Sequence, residues 1–259
     1  MTDKDLKCVK GEVVHILRGI YTAASGMLVE SMRMDVASNN LANIDTAGFQ
    51  RQAAHVYAFP DRLISRVNNG ERTAIGSLGT GAVVDGSRSS FSPGMLKQTH
   101  NPFDVALVGP GFFAVDTPDG VRYTRDGRFT TNQTGLLLTL DGNRVRGERG
   151  PIFVGDGEVR VDSQGSVFVD EEFVDRLLIV EFNDREGLIR RGANLYEAAV
   201  EAGQPFRYNG TIVQGTVEMS NVNVIREMVN LINVQRSYEA NQKVVQAYDE
   251  TLGKMVNEV

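Results

Sequence analysis

Apolar residues recur at alternating steps of three and four at both ends of this chain, and at steps of two through its middle. From about Ile16 to Leu41, the positions Leu17, Ile20, Ala24, Met27, Ser31, Met34, Ser38 and Leu41 follow the rhythm of a coiled-coil seam or tight bundle. Tyr21 and Leu28 widen the stripe, and the two serines are small enough to admit a close neighbour. The segment SNNLANIDTAGF, Ser38–Phe49, predicts the end of this helix. Asn and Asp compete for backbone hydrogen bonds there, and Gly48 can take a left-handed conformation. At 1.5 Å per residue the predicted helix is roughly 40 Å long.

The other end reads similarly. Val224, Met228, Leu231, Tyr238, Val245, Leu252, Val256 and Val259 lie on one seam. Ser220, Asn221 and Asn223 precede it as capable N-caps, and Glu227 lies near the first turn. Gln235, Gln242 and Asp249 fall on the same seam at seven-residue intervals. Two readings stand. One is a drifting helix with a broad apolar face, helped by Ile232, Val244, Tyr248 and Met255. The other is a polar ladder that fixes register between packed helices.

Between the ends the pattern changes twice. FQRQAAHVYAFPDRLISRV, Phe49–Val67, predicts an extended piece and a short helix around Asp61 to Arg66. The Gly- and Ser-rich stretch that follows predicts long hairpin arms or loop. Residues 101–215 are strand-like: FDVALVG, GFFAVDT, VRYTRDG, RFTTN, LLLTLDG, EVRVDS, SVFVD and LLIVEF are short runs of β-branched and aromatic residues. Asp119-Gly120, Asp126-Gly127, Asp141-Gly142 and Asn209-Gly210 supply hairpin-turn chemistry. The expected fold is α+β. A discontinuous, coiled-coil-like helical domain (16–49 with 216–259) flanks an extended arm (50–98) and a central, mostly antiparallel β domain (99–215), after an N-terminal extension (1–15).

Composition narrows the function. The chain has 259 residues, 41% of them hydrophobic and 23% charged, which argues for a folded protein. A net charge of -6 without a basic cluster argues against a nucleic-acid partner. The single cysteine, Cys8, excludes an intrachain disulfide. The opening MTDKDLKCVKGEVVH lacks the apolar core of a cleavable secretory signal.

Candidate chemistry is sparse. His15, His55 and His100 have no second His or Cys at ligand spacing, so no metal site is expected. Gly109-Pro110-Gly111 is followed by strand signals rather than a helix N-terminus, so it reads as a tight turn presenting Phe112 and Phe113 to the core. Asp104, Asp116, Asp126, Asp141 and Asp162 each sit beside a turn, where Asp is favoured for local hydrogen bonding. Met27, Met32 and Met34 suit helix packing. The reading is therefore of a non-enzyme with no cofactor and no small-molecule substrate.

Three segments carry a resemblance. RGIYTAASGM, Arg18–Met27, leads into SNNLANIDTAGF; NPFDVALVGPGFF, Asn101–Phe113, is followed by YTRDGRF, Tyr123–Phe129; and GTVEMSNVNVIREMVNLINVQRSYEANQKVVQ spans Gly215–Gln246. In this order they resemble the axial proteins of the bacterial flagellum, specifically the basal-body rod proteins. Within that family, the opening motif and AFPDRLISRV, Ala58–Val67, look more like the proximal F type. Gly79-Thr80-Gly81 and the overall length also suit the distal G type. Family members usually begin close to Leu17, so the first sixteen residues and Cys8 are a departure, and initiation near Val13 or Val14 is one account of them.

The resemblance implies a structural subunit of the basal-body rod in the periplasm, exported through the flagellar apparatus without a cleaved signal. It would assemble into a helical tube that transmits torque and conducts later subunits. Its implied partners are itself, other rod and hook proteins, and the export apparatus. The expected assembly interface is Leu17, Ile20, Ala24, Met27, Met34, Leu41, Val224, Met228, Leu231, Tyr238, Val245, Leu252 and Val256. The competing readings are another extracellular coiled-coil and β-domain interaction protein (hook-like, an adhesin or a phage tail component) and an enzyme built on a β-sandwich.

Overall fold

The structure is a computed structural model describing residues 3–60, 62–68 and 71–257, with side chains described for 18–60 and 76–254. It is α+β, with one helix near each end of the chain and antiparallel strands between them. The described chain divides into two compact units, and both are discontinuous. One comprises Met1–Asn39, Ala53–Ser87 and Ile225–Val259; the other comprises Asn40–Gln52 and Arg88–Val224.

The first unit contains most of helices α1 (Asp3–Ala42) and α2 (Val224–Asn257). No proline interrupts residues 1–42, so α1 extends past the expected start near Ile16 to span about 60 Å. The two helices pack antiparallel. Gly19 lies against the ring of Tyr248, and Gly26 against the amide of Asn241.

The inner faces differ in phase from the expectation. On α1 the buried apolar residues are Ala23, Val29 and Ala37, and Gly19 and Gly26 lie against α2. Ile20, Ala24, Met27 and Met34 are half-buried beside them, as is Leu41 in the last turn, while Ser31, Ser38 and Met32 are exposed. Glycine, not serine, therefore admits the neighbouring helix. On α2 the shielded positions are Glu227, Leu231, Val234, Tyr238, Asn241, Val245, Tyr248 and Leu252, stepping by four and three. Leu231, Tyr238, Val245 and Leu252 match the expected seam. Val224 and Met228 do not, being 41% and 49% exposed. A residue repeated every seven positions fits two seams equally well. The expected seam steps four residues from Leu231, to Gln235, whereas the inner face steps three, to Val234. Gln235, Gln242 and Asp249 are all exposed, and Gln235 donates to Glu239 on its own helix. Leu17 and Val256 lie outside the residues whose side chains are described.

Among the described residues, four strands complete this unit: β1 (Gln52–Ala58), β2 (Arg62–Asn68), β3 (Glu71–Leu78) and β4 (Ala82–Ser89). The outer pair forms a ribbon, closed where Phe59 N–H donates to the Gly81 carbonyl at 2.9 Å. The ribbon meets α1 at Ser25, whose hydroxyl accepts the Ala82 N–H at 3.4 Å. The inner pair is a hairpin running from Arg62↔Leu78 to Asn68↔Glu71. It replaces the short helix expected around residues 61–66, of which Asp61 lies outside the described residues. Pairing with 71–78 outweighs the local pattern, as tertiary context often does.

The second unit is built on nine antiparallel strands in one sheet, with smaller sheets around it. Phe112–Thr117 is its centre, flanked by Gly120–Thr124 and Arg144–Val145, with Ile179–Glu181 also pairing to it. All eight runs read from the sequence contain strands. Alternation buries Val105, Leu107, Phe113, Phe129, Val145, Val167 and Leu177 in one core cluster. Phe112, Phe182, Leu188 and Tyr196 form a second. Edge-to-face rings, such as Phe113 on Phe129 with centroids 5.1 Å apart, fix the packing.

Two of the four expected turns close hairpins: Asp119-Gly120, where Thr117 pairs with Gly120, and Asp141-Gly142, between Leu137–Thr139 and Arg144–Val145. The other two do not. Asp126-Gly127 joins strands that do not pair with each other, and Gly127 is required because a β-carbon there would strike the Val105 carbonyl. Asn209-Gly210 wraps Tyr208, whose ring fills the space beside Gly210.

Candidate assembly surface and its buried support

Each helix carries an apolar row that helix pairing leaves open. On α1 it is Tyr21, Leu28 and Met32, with Tyr21 and Leu28 72% and 69% exposed. On α2 it is Ile225, Val229 and Ile232, with Ile225 75% exposed, and Val224, Met228 and Val244 beside it. Isolated apolar residues on a surface are ordinary, but rows at helical spacing mark a contact surface. In the sequence pattern, Tyr21, Leu28 and Ile232 only widen a stripe. The expected interface residues Ile20, Ala24, Met27, Met34, Leu231, Tyr238, Val245 and Leu252 are half-buried.

A polar network inside the second unit supports the chain segments that lead to and from these helices. Arg125 and Glu218 form an ion pair with both side chains nearly sealed from solvent. Arg125 Nε and Nη2 donate to Glu218 Oε2 at 2.8 and 2.6 Å, and Nη1 donates to the carbonyls of Gly109 and Gly111 at 2.8 and 2.7 Å. Glu218 Oε1 accepts the Gly94 N–H at 3.0 Å. The pair is thus hydrogen-bonded on nearly every side, the condition under which a buried charge pair is tolerated. Gly109-Pro110-Gly111 buries Phe112 and Phe113 as expected and also supplies these two carbonyls. Sequence reasoning missed the pair; its only signal was a charge at the end of each of two apolar strands, Tyr123-Thr124-Arg125 and Thr216-Val217-Glu218.

The same region holds the Asn-rich segment. The Gly48 N–H donates to the Glu218 carbonyl at 2.7 Å. Phe49 is fully buried under the Arg190 guanidinium, 4.5 Å from its ring centre. Asn194 Nδ2 donates to the Ala47 carbonyl. Burial lowers the Arg190 pKa and raises that of the enclosed Tyr196 phenol.

The aspartates sit in local structural pairs. Asp116 binds Arg146, and Asp126 binds Arg128 through both oxygens. Asp104 accepts from Asn101. Asp162 caps its own turn, accepting the N–H groups of Gln164 and Ser166 at 2.9 and 2.8 Å. Its partial burial raises the pKa, but those hydrogen bonds outweigh this and leave it below the usual carboxylate value. Among the described residues, no three His, Cys, Asp or Glu side chains are grouped to hold a metal ion. None of the described helices is long and apolar enough to cross a membrane.

Comparison with known sequences agrees with this geometry. Residues 20–50 match the family described as flagella basal body rod protein. Residues 106–169 match the flagellar hook protein FlgE/F/G D1 domain, and 213–258 the flagellar basal body rod FlgEFG protein C-terminal. The flagellar basal-body rod protein FlgG of Buchnera aphidicola subsp. Schizaphis graminum is 36% identical over 93% of this chain and 99% of its own. The flagellar hook-basal body complex protein FlhO of Bacillus subtilis is 32% identical over 94% of this chain and 99% of its own. The flagellar basal-body rod protein FlgF of Mesorhizobium japonicum is 32% identical over 85% of this chain and 88% of its own. This is a structural family, which disfavours the adhesin, phage-tail and enzyme readings. With its three segments matched in order and relatives aligned over nearly the whole chain, this protein belongs to the flagellar basal-body rod protein family.

Proposed function

We propose that this chain is a structural subunit of the rod that stacks helically on copies of itself and on other rod and hook proteins. The observation that carries the reading is the open apolar row on each helix, led by Leu28 and Ile225. Covering such rows yields about 25 cal/mol per Å² of apolar area. Contacts that repeat head to tail without closing build an open helical tube. In this reading the paired helices pack in a coiled-coil-like manner on those of neighbouring subunits. The tube transmits torque and conducts later subunits, and the protein reaches the periplasm through the flagellar export apparatus without a cleaved signal. The expected interface residues from Ile20 to Leu252 act indirectly, by holding the helix pair that presents the rows. A proximal, F-type position rests on the Arg18–Met27 opening and Ala58–Val67; relatives of both names match at similar identity.

The test is complementation of a deletion strain, with basal bodies imaged by electron microscopy. Wild-type protein restores a complete rod, whereas Leu28→Glu with Ile232→Glu is exported but leaves the rod truncated. Full rods and normal swimming from that variant would refute the assembly surface. The point at which rods stop in the deletion strain distinguishes a proximal from a distal position.

A further inference from the structure

Two asparagines hold one dipeptide. Asn40, in the last turn of α1, binds Gln52 through both ends of its amide: Oδ1 accepts the Gln52 N–H and Nδ2 donates to the Gln52 carbonyl, both at 2.8 Å. Asn221, three residues before α2, accepts the N–H of the adjacent Arg51 at 2.6 Å. Its Nδ2 group is directed at the carbonyls of Ser90 and Ser92, each 2.8 Å away. The Arg51 carbonyl accepts the Ser90 N–H at 2.7 Å. All four backbone groups of Arg51–Gln52 are therefore used, and three of them are claimed by side chains at the ends of different helices. Asn40 is fully buried.

The helix pair has reason to need this. Along α1, Gly19 and Gly26 permit close approach to α2 and stand seven residues apart. A seven-residue repeat also fits itself after a one-heptad slip. The helices are separated by most of the chain, so pairing them requires closing a very long loop. Tying the segment after α1 to the segment before α2 closes that loop once, within the β unit.

We infer that Asn40 and Asn221 are positioning residues: by holding the consecutive amides of Arg51 and Gln52 they set the register in which α1 and α2 pair. The buried amide of Asn40 and the half-buried amide of Asn221, each satisfied on both sides, serve here as a register device rather than as a source of stability. The inference deepens the assembly reading but concerns the single subunit. It is tested on monomer, so its failure is distinct from a failure of rod assembly.

The experiment uses full-length protein carrying Cys8→Ser, with spin labels at the exposed positions Ser31→Cys and Arg236→Cys. The distance between labels is measured by pulsed electron resonance, and hydrogen exchange is followed in both units. The parent gives one dominant distance. Asn40→Ala with Asn221→Ala gives a broad or multiple distribution and at least tenfold faster exchange in α1 and α2. Exchange in the strands around Phe113 stays within twofold of the parent. Asn221→Ala alone, which leaves Asn40 holding both the N–H and the carbonyl of Gln52, retains most of the dominant distance and supplies a milder variant. A single unchanged distance in the double alanine variant would overturn the inference. So would loss of protection in the β strands to the same degree as in the helices, or the absence of a dominant distance in the parent.

Discussion

Gly26 lies directly beneath the side chain of Asn241: a β-carbon at position 26 would stand 2.9 Å from Asn241 Nδ2, closer than such atoms approach. Gly19 stands in the same relation to the Tyr248 ring one heptad away. Gly253, also helical, has nothing within 4 Å of the place a methyl group would occupy.

The sign of a substitution should therefore differ along the helices. Gly253→Ala gains helix propensity without a clash and should stabilise α2 by about 0.8–1 kcal/mol. Gly26→Leu must push the helices apart and should cost about 1–3 kcal/mol. Thermal unfolding followed by far-ultraviolet dichroism would compare the two. Equal effects of the same sign would mean the helices are not in contact at residue 26.

Removing one member of the Arg125–Glu218 pair strands the other in an apolar setting. Arg125→Met or Glu218→Met should each destabilise by about 3–5 kcal/mol, while the double replacement should recover a substantial part of that loss. Urea unfolding of all four proteins closes the cycle. Additive losses would show that the two side chains act independently.

Gly48 combines a φ of +68° with close contact against the Asp126 backbone N. Gly48→Ala meets both obstacles and should cost about 2–5 kcal/mol, the sum of a left-handed non-glycine residue and an overpacked contact. Gly142→Ala, with φ +83° but open space around it, provides the control and should cost less. The comparison needs only denaturation midpoints of the two variants.

Asp162 should titrate below 3.8, its ordinary value. A depressed folded-state pKa means its contribution to stability is present above the unfolded pKa and disappears as pH falls through the folded one. Carbon-13 chemical shifts of the carboxyl would report the titration, and Asp162→Asn should remove that portion of the acid dependence. A midpoint at or above 3.8 would show that the Gln164 and Ser166 N–H groups do not favour the charged form.

Much of the fold was legible from residue order because its signals are local. The strand runs, the left-handed Gly48 and the burial of Phe112 and Phe113 follow from alternation, turn chemistry and glycine geometry. The inner face of α2 was half legible: Leu231, Tyr238, Val245 and Leu252 repeat every seven residues, but such a set does not say which side of it is shielded. Tyr248 and Asn241 meet glycines that lie more than two hundred residues earlier. The support network was not legible for the same reason. Arg125 and Glu218 are 93 residues apart and meet only once the sheet is built. Asn40 and Asn221 did look like turn or cap residues, and their actual partners, Gln52 and Arg51, are visible only in three dimensions.

Neither compact unit is a continuous stretch of chain, and this governs the order in which the molecule can be made. The β unit awaits Thr216–Glu218, which pairs with Leu96–Gln98 and brings the carboxylate that Arg125 requires. The helical unit awaits α2 itself. A chain emerging from the ribosome therefore stays unfinished in both units until its final fifth has been synthesised. Contacts that span so much sequence form slowly, leaving the nascent chain open to capture by whatever binds extended polypeptide. Lateness of folding is thus written into the topology.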